Sequence, residues 1–292
     1  MMNGIVKKSI FTLVLMALAF GIVVKFNIFG KVFAKDTGGF YSESIFVREV
    51  DGNKDIISKN SDKKMYPASL TKIMTTVVAL DYIDNLDEQV QMDKEIYQEM
   101  VNKNSSMVGF LGNEVVTYRD LIYGIMLKSG GEATGTIAKR IGGSIDNFVM
   151  LMNDRAAEMG MNSTHFTNPE GLDDENQYTT AEDMYILLNY ALKNPVFRDI
   201  FTSQAYTSTQ TLDHPEGIFM QSTVLEHIEQ NDSYQILGGK SGTTGKAGLC
   251  WATLGTKNGK EYIVITLNAP LDNLKNPTLL QKEDLLKIYD EL

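Results

Sequence analysis

The apolar positions along this chain change period several times, and each period predicts a different element. Near the start, Ile10 to Val24 is almost continuously apolar and ends at Lys25. From Glu43, "ESIFVREVDGNKDIISKN" alternates in the manner of two strands joined at Asp51-Gly52, a favoured hairpin turn. Leu70, Ile73, Met74, Val77 and Val78 then recur at helical spacing, predicting a helix from Ser69 to about Tyr82. "NKNSSMVGFLGNEV" is polar and Gly-bearing, a loop or short strands. A Thr117-x-x-Asp120 capping pattern opens a helix with an apolar face at Leu121, Ile122, Ile125 and Met126. That helix stops near Ser129-Gly130-Gly131, because paired glycines disfavour it.

Further helices are predicted from Glu132 to Arg140, and from Ile145 to Met159 behind a Ser144 cap, with Gly160 as the stop. "NSTHFTNPEGLDDENQ" reads as a long polar loop. Thr180-x-x-Asp183 opens a helix that ends before Asn194-Pro195. The last third turns β-like. "YQILGGKSGTTGKAG" reads as a strand running into a glycine-rich turn, and "LCWATLGTKNGKEYIVITLNA" as a hairpin about Asn258-Gly259. An amphipathic helix, "LQKEDLLKIYDEL", closes the chain. Strands at both ends with helices between them make an α+β protein, an antiparallel sheet flanked by helices with a helical lobe. A groove between two such lobes is a usual place for a ligand.

Lys7 and Lys8 before the N-terminal apolar stretch make residues 1–34 an expected export signal or membrane anchor. Cleavage patterns occur at Ala17-Leu18-Ala19 and Val32-Phe33-Ala34, the second lying nearer the mature domain. Lys25 can snorkel and let the apolar segment continue to Phe29, and the stretch from the apolar core to Ala34, long for a signal, favours an uncleaved anchor. Either outcome places residues 35–292, the expected catalytic domain, outside the cytoplasm. Net charge is −10, so there is no basic surplus for binding nucleic acid. Cys250, the one cysteine, excludes an intrachain disulfide and reads as a small buried hydrophobe. His165, His214 and His227 fall in no metal-ligand motif, and no phosphate-binding glycine loop is present. No metal or cofactor is expected.

Three short stretches carry the candidate chemistry. Ser69 and Lys72 lie about one helical turn apart and share a face. A lysine amine takes a serine proton only if its pKa is lowered. Ser129-Gly130-Gly131 and Lys240-Ser241-Gly242 follow in that order. Their succession matches S-x-x-K, S-D-N and K-T-G of class A β-lactamases and penicillin-binding proteins. With "YPASLTKIMT", "LIYGIMLKSGGEAT", "MGMNSTHFTNPEGLDD" and "GGKSGTTGKAG", the chain resembles a serine D-alanyl-D-alanine carboxypeptidase of the low-molecular-weight penicillin-binding protein family. The likeness extends from about Glu43 to Asn268.

The resemblance implies a β-lactamase/DD-peptidase-like transpeptidase fold and a role for each matching residue. Ser69 is the implied nucleophile and Lys72 its base. Ser129 bridges the two lysines and relays a proton to the leaving D-alanine. Lys240, Ser241, Gly242 and Thr243 receive the substrate's terminal carboxylate and backbone, and the N–H groups of Ser69 and Thr243 form the oxyanion hole. The implied partner is a peptidoglycan stem peptide ending in D-Ala-D-Ala, with β-lactams as inhibitors. Many members carry a C-terminal β-rich domain, and this chain is expected to lack one. The family usually has Asn where this chain has Gly131, so a side-chain amide is missing, and Glu132 either replaces it in part or simply starts the helix. Two other readings stand beside carboxypeptidase. One is a β-lactamase that uses Glu170 to drive water. The other is a non-catalytic wall-binding module, suggested by Gly131.

Overall fold

The structure, a computed structural model, describes residues 39–292. The N-terminal segment 1–34, expected to be a signal or anchor, lies outside the described residues. Among those described, no helix is long and apolar enough to cross a membrane.

A five-stranded sheet organises the chain. Strands β1 (Ser44–Glu49) and β2 (Asp55–Lys59) form the first hairpin. The long strands β7 (Gln235–Thr244), β8 (Gly248–Lys257) and β9 (Lys260–Ala269) return at the end of the chain, giving the order β2-β1-β9-β8-β7. Every neighbouring pair is antiparallel. Asp51 and Asn258 both have positive φ (52° and 54°), as tight hairpin turns demand.

Both faces of the sheet are covered, and the period of two decides which residue goes where. Phe46, Cys250, Ala252, Leu254, Ile263, Ile265 and Leu267 face the larger core, shared with the helical lobe. Ile45, Val47, Trp251 and Val264 face the other way, against Leu285, Ile288 and Tyr289 of the C-terminal helix (Leu280–Glu291). Cys250 is fully buried, and burial pushes its thiol up to about 12, in keeping with a packing role.

At the centre of the lobe is α1 (Thr71–Tyr82), buried from Thr71 through Ala79 on all sides. Around it stand α2 (Lys94–Asn102), α3 (Tyr118–Leu127), α4 (Gly131–Gly142), α5 (Ile145–Glu158) and α6 (Ala181–Ala191). Thr117 and Asp120 form the expected reciprocal cap of α3, and Ser144 and Thr180 cap α5 and α6 through their hydroxyls.

The structure departs from the hydrophobic pattern in two places. Helix α2 was not expected. It begins where Asp93 accepts from the amides of Glu95 and Ile96, and only Ile96 and Met100 are buried, too few for a legible period. Pro195 does not merely end a helix but opens α7 (Pro195–Thr202), at a first-turn position where its missing N–H costs nothing. Strand β7 runs through Gly238, Gly239 and Lys240-Ser241-Gly242 to Thr244, and the expected glycine-rich turn follows at residues 245–247. Its pairing with β8, Ser241 opposite Trp251 and Gly242 opposite Cys250, holds those glycines extended.

Two short two-stranded sheets remain, β3 (Gln89–Gln91) with β4 (Val115–Thr117) and β5 (Ala205–Thr207) with β6 (Phe219–Gln221), and the second is pinned to α3 by one buried carboxylate. Asp120 accepts from Tyr206 Oη (2.9 Å), Thr209 N (2.9 Å) and Thr209 Oγ1 (2.6 Å) besides its own cap. Asp120→Ala strands the buried Thr117 donors and the part-buried donors of Tyr206 and Thr209. It is therefore expected to cost about 3–4 kcal/mol in urea unfolding, and a loss below about 1 kcal/mol would contradict this account.

Candidate active site

The site lies where the N-terminus of α1 meets the edge strand β7. Ser69 sits in a single 3-10 turn (Ala68–Leu70) that feeds directly into α1, with no side chain capping the helix. The helix dipole favours negative charge there. Ala68, just before it, is held at φ 46°, and Ser129 at φ 61°. Such left-handed conformations cost energy in residues with a Cβ and gather at working sites.

Two glycines let the backbone pack this tightly. A Cβ on Gly242 would lie 3.0 Å from Ser69 N, so β7 passes against the main chain of Ser69. A Cβ on Gly171 (φ 85°) would overlap the Ala68 carbonyl. Gly171 belongs to the loop 168–173, the floor of the site. Asn168 Oδ1 accepts from Gly171 N (2.8 Å) and Leu172 N (3.0 Å), and Thr75 of α1 donates to Pro169 O at 2.8 Å. Asp173 accepts from Thr244 Oγ1 (2.5 Å), tying the loop to the end of β7.

Lys72 is 1% exposed. Its Nζ donates to Ser69 Oγ at 3.3 Å and to the main-chain carbonyl of Glu170 at 2.5 Å. Burial lowers its pKa from the ordinary 10.5 to about 8, against the opposing pull of the Glu170 and Glu132 carboxylates. Burial thus does the lowering. Lys240, wholly buried, donates to Ser129 Oγ at 3.0 Å and to Ser241 O at 2.8 Å. Burial, and then the charge of Lys72, hold it well below the ordinary lysine value.

Of the residues singled out in the sequence, Ser69 and Lys72 meet directly, as do Ser129 and Lys240. Ser129 makes no hydrogen bond to Lys72 among the described residues, so only one side of the implied bridge is formed. Ser241 and Thr243 are half-buried on β7. Ser241 Oγ pairs with Thr223 Oγ1 at 2.7 Å. Thr223 comes from a stretch, "MQSTVLEH", that has no motif, and nothing in the sequence marked it. The carbonyl of Glu170 was equally invisible, since any residue has one.

Glu132 turns inward and is 0% exposed. One carboxyl oxygen accepts from Val108 N (2.7 Å) and Gly109 N (2.9 Å), and the other has no hydrogen-bond partner among the described residues. Burial pushes its pKa up. Glu132 therefore starts α4 and ties down residues 108–109, and it does not reach into the space of a missing Asn. The carboxyl of Glu170 is also buried and pushed up, with Lys72 as the opposing charge. Among the described residues no cluster of His, Cys, Asp and Glu could hold a metal ion.

Known proteins are similar to this chain in sequence and fold. D-alanyl-D-alanine carboxypeptidase DacF of Bacillus subtilis is 28% identical over 259 residues, covering 86% of this chain and 65% of that protein. D-alanyl-D-alanine carboxypeptidase DacA of Haemophilus influenzae is 32% identical over 219 residues, covering 72% and 53%. The chain thus spans roughly half to two thirds of the length of these two curated relatives. The crystal structure of the Streptomyces K15 DD-transpeptidase superposes with a TM-score of 0.77 at 25% identity, over 88% of this chain and 98% of that one. The fold is therefore the antiparallel sheet with helices of the DD-peptidase and β-lactamase class. A model of peptidase family S11, D-alanyl-D-alanine carboxypeptidase, matches residues 32–271, and the chain belongs to that family.

Proposed function

We propose that this protein is a serine D,D-carboxypeptidase that removes the terminal D-alanine from peptidoglycan stem peptides ending in D-Ala-D-Ala. One observation carries the reading. A fully buried lysine amine with a pKa lowered to about 8 lies 3.3 Å from a serine hydroxyl at a helix N-terminus.

Lys72 takes the Ser69 proton as Oγ attacks the carbonyl between the two D-alanines. The N–H groups of Ser69 and Thr243 stabilise the oxyanion. The C–N bond then breaks. The leaving D-alanine amine gains its proton by way of Ser129, and an ester remains on Ser69 until water hydrolyses it. The half-buried hydroxyls of Ser241 and Thr243 receive the terminal carboxylate. Lys240 is enclosed beneath them and acts on it as a charge rather than by contact, while Gly242 leaves room for the peptide backbone. An arriving carboxylate favours the protonated form of Lys240, so binding is coupled to proton uptake. β-Lactams enter the same site and acylate Ser69.

The substrate lies outside the cytoplasm. The paired lysines and apolar stretch of residues 1–34 support export, with that segment as signal or anchor and the residues from 35 onward as the catalytic unit.

The test combines D-alanine release from a peptide ending in D-Ala-D-Ala with mass spectrometry after labelled penicillin. D-alanine release together with a stable adduct on Ser69 is expected. Rapid penicillin turnover without D-alanine release would replace the reading with a β-lactamase that draws on the buried Glu170. The absence of both would leave a non-catalytic module.

A further inference from the structure

Residues 105–109 run along the first turn of α4, beside Ser129. Gly131 N donates to Ser106 O at 2.7 Å, and Glu132 holds the amides of Val108 and Gly109. A Cβ on Gly131 would overlap the Ser105 hydroxyl oxygen, and it would lie 3.0 Å from Ser105 Cβ and 3.1 Å from Met100 Sδ. The space that a side chain at 131 would take is thus already filled, and by a hydroxyl. Ser105 is half-buried. Its amide donates to Met100 O, but its hydroxyl makes no hydrogen bond among the described residues. Two residues before Gly131, the Ser129 hydroxyl receives Lys240. An unpaired, half-buried hydroxyl in such a place is satisfied by water or by ligand.

We propose that Ser105 is a substrate-contact residue, its hydroxyl bonding an amide of the acyl half of the peptide from the position a side chain at 131 would occupy. A serine hydroxyl both donates and accepts, so it suits either the C=O or the N–H of that amide. The inference rests on the D,D-peptidase reading and adds to it a recognition group drawn from outside the three motifs. It also makes Ser105 and Gly131 a coupled pair: a side chain at one position requires its removal at the other.

The experiment compares the full-length wild type with Ser105→Ala, Ser105→Gly, Gly131→Asn and the double variant Ser105→Gly/Gly131→Asn. D-alanine release, acylation by labelled penicillin and thermal unfolding are measured for each. Ser105→Ala is expected to lower kcat/KM for the peptide about 3- to 10-fold, the worth of one neutral hydrogen bond, with Tm little changed. Gly131→Asn alone is expected to lower both Tm and activity, because its side chain meets Ser105. The double variant is expected to recover both, a strongly non-additive cycle. Unchanged kcat/KM in Ser105→Ala, while the wild type is active, overturns this inference alone. So does additive behaviour of the two sites. A wild type that neither releases D-alanine nor takes up penicillin overturns the parent reading, and this one with it.

Discussion

Ser69→Ala is expected to release D-alanine no faster than background, a loss on the order of 10⁶-fold in kcat, as when a nucleophile is removed from other serine hydrolases. The size follows from covalent catalysis. Without the hydroxyl there is no acyl-enzyme, and Lys72 has no proton to take. The variant should fold normally. Ser69 is half-buried, and among the described residues its hydroxyl's one side-chain partner is Lys72 Nζ at 3.3 Å. Unfolding free energy should therefore stay within about 0.5 kcal/mol of wild type. Penicillin should leave no adduct. Persistent turnover in a Ser69→Ala sample free of wild type would remove the nucleophile from the mechanism.

Lys72→Met is expected to separate activity from stability. Loss of the general base should lower acylation by about 10²–10⁴-fold. The fold, however, should gain. A fall in pKa from 10.5 to about 8 means that burying the ammonium costs about 3 kcal/mol at neutral pH. Methionine has similar length and no charge. Against this stand two lost hydrogen bonds and the lost countercharge for Glu170 and Glu132. The net gain is expected to be about 1–2 kcal/mol. The pH dependence follows from the direction of the shift. The folded protein binds this proton more weakly than the unfolded chain. The gap between Lys72→Met and wild type is therefore widest below about pH 8 and closes as pH rises toward 10.5.

The same titration shapes the rate. Acylation should rise about tenfold per pH unit below 8 and level off above it, as the amine becomes neutral. Glu170→Gln removes the largest charge that holds the Lys72 pKa up, and it should move this inflection to lower pH. Stopped-flow acylation with a chromogenic β-lactam measures both. An inflection indifferent to Glu170→Gln, or wild-type acylation by Lys72→Met, would contradict the assigned base.

Local pattern explains why so much was legible. Strong periods and caps gave α1, α3, α5 and α6, because their buried faces and capping hydroxyls are close in sequence. Ser69 with Lys72 was legible for the same reason, since one helical turn carries both. Helix α2 was hidden by its small buried face. Burial could only be inferred. That Lys72 and Lys240 are both enclosed depends on the 168–173 loop, on β7 and on the Ser129 turn closing over them.

The amino-acid sequence by itself determined the class of fold, the alternation that covers both faces of the sheet, and the three motifs from which the chemistry is read. Only the tertiary structure decided what surrounds them: Glu170 O on Lys72, Thr223 on Ser241, Glu132 turned inward and Ser105 in the space beside Gly131. The first set rests on residues a turn or a strand apart, whose relation is set by helical and strand repeats. The second joins residues 18 to 98 positions apart, or fills a space that one segment leaves for another, and no local repeat encodes such a meeting.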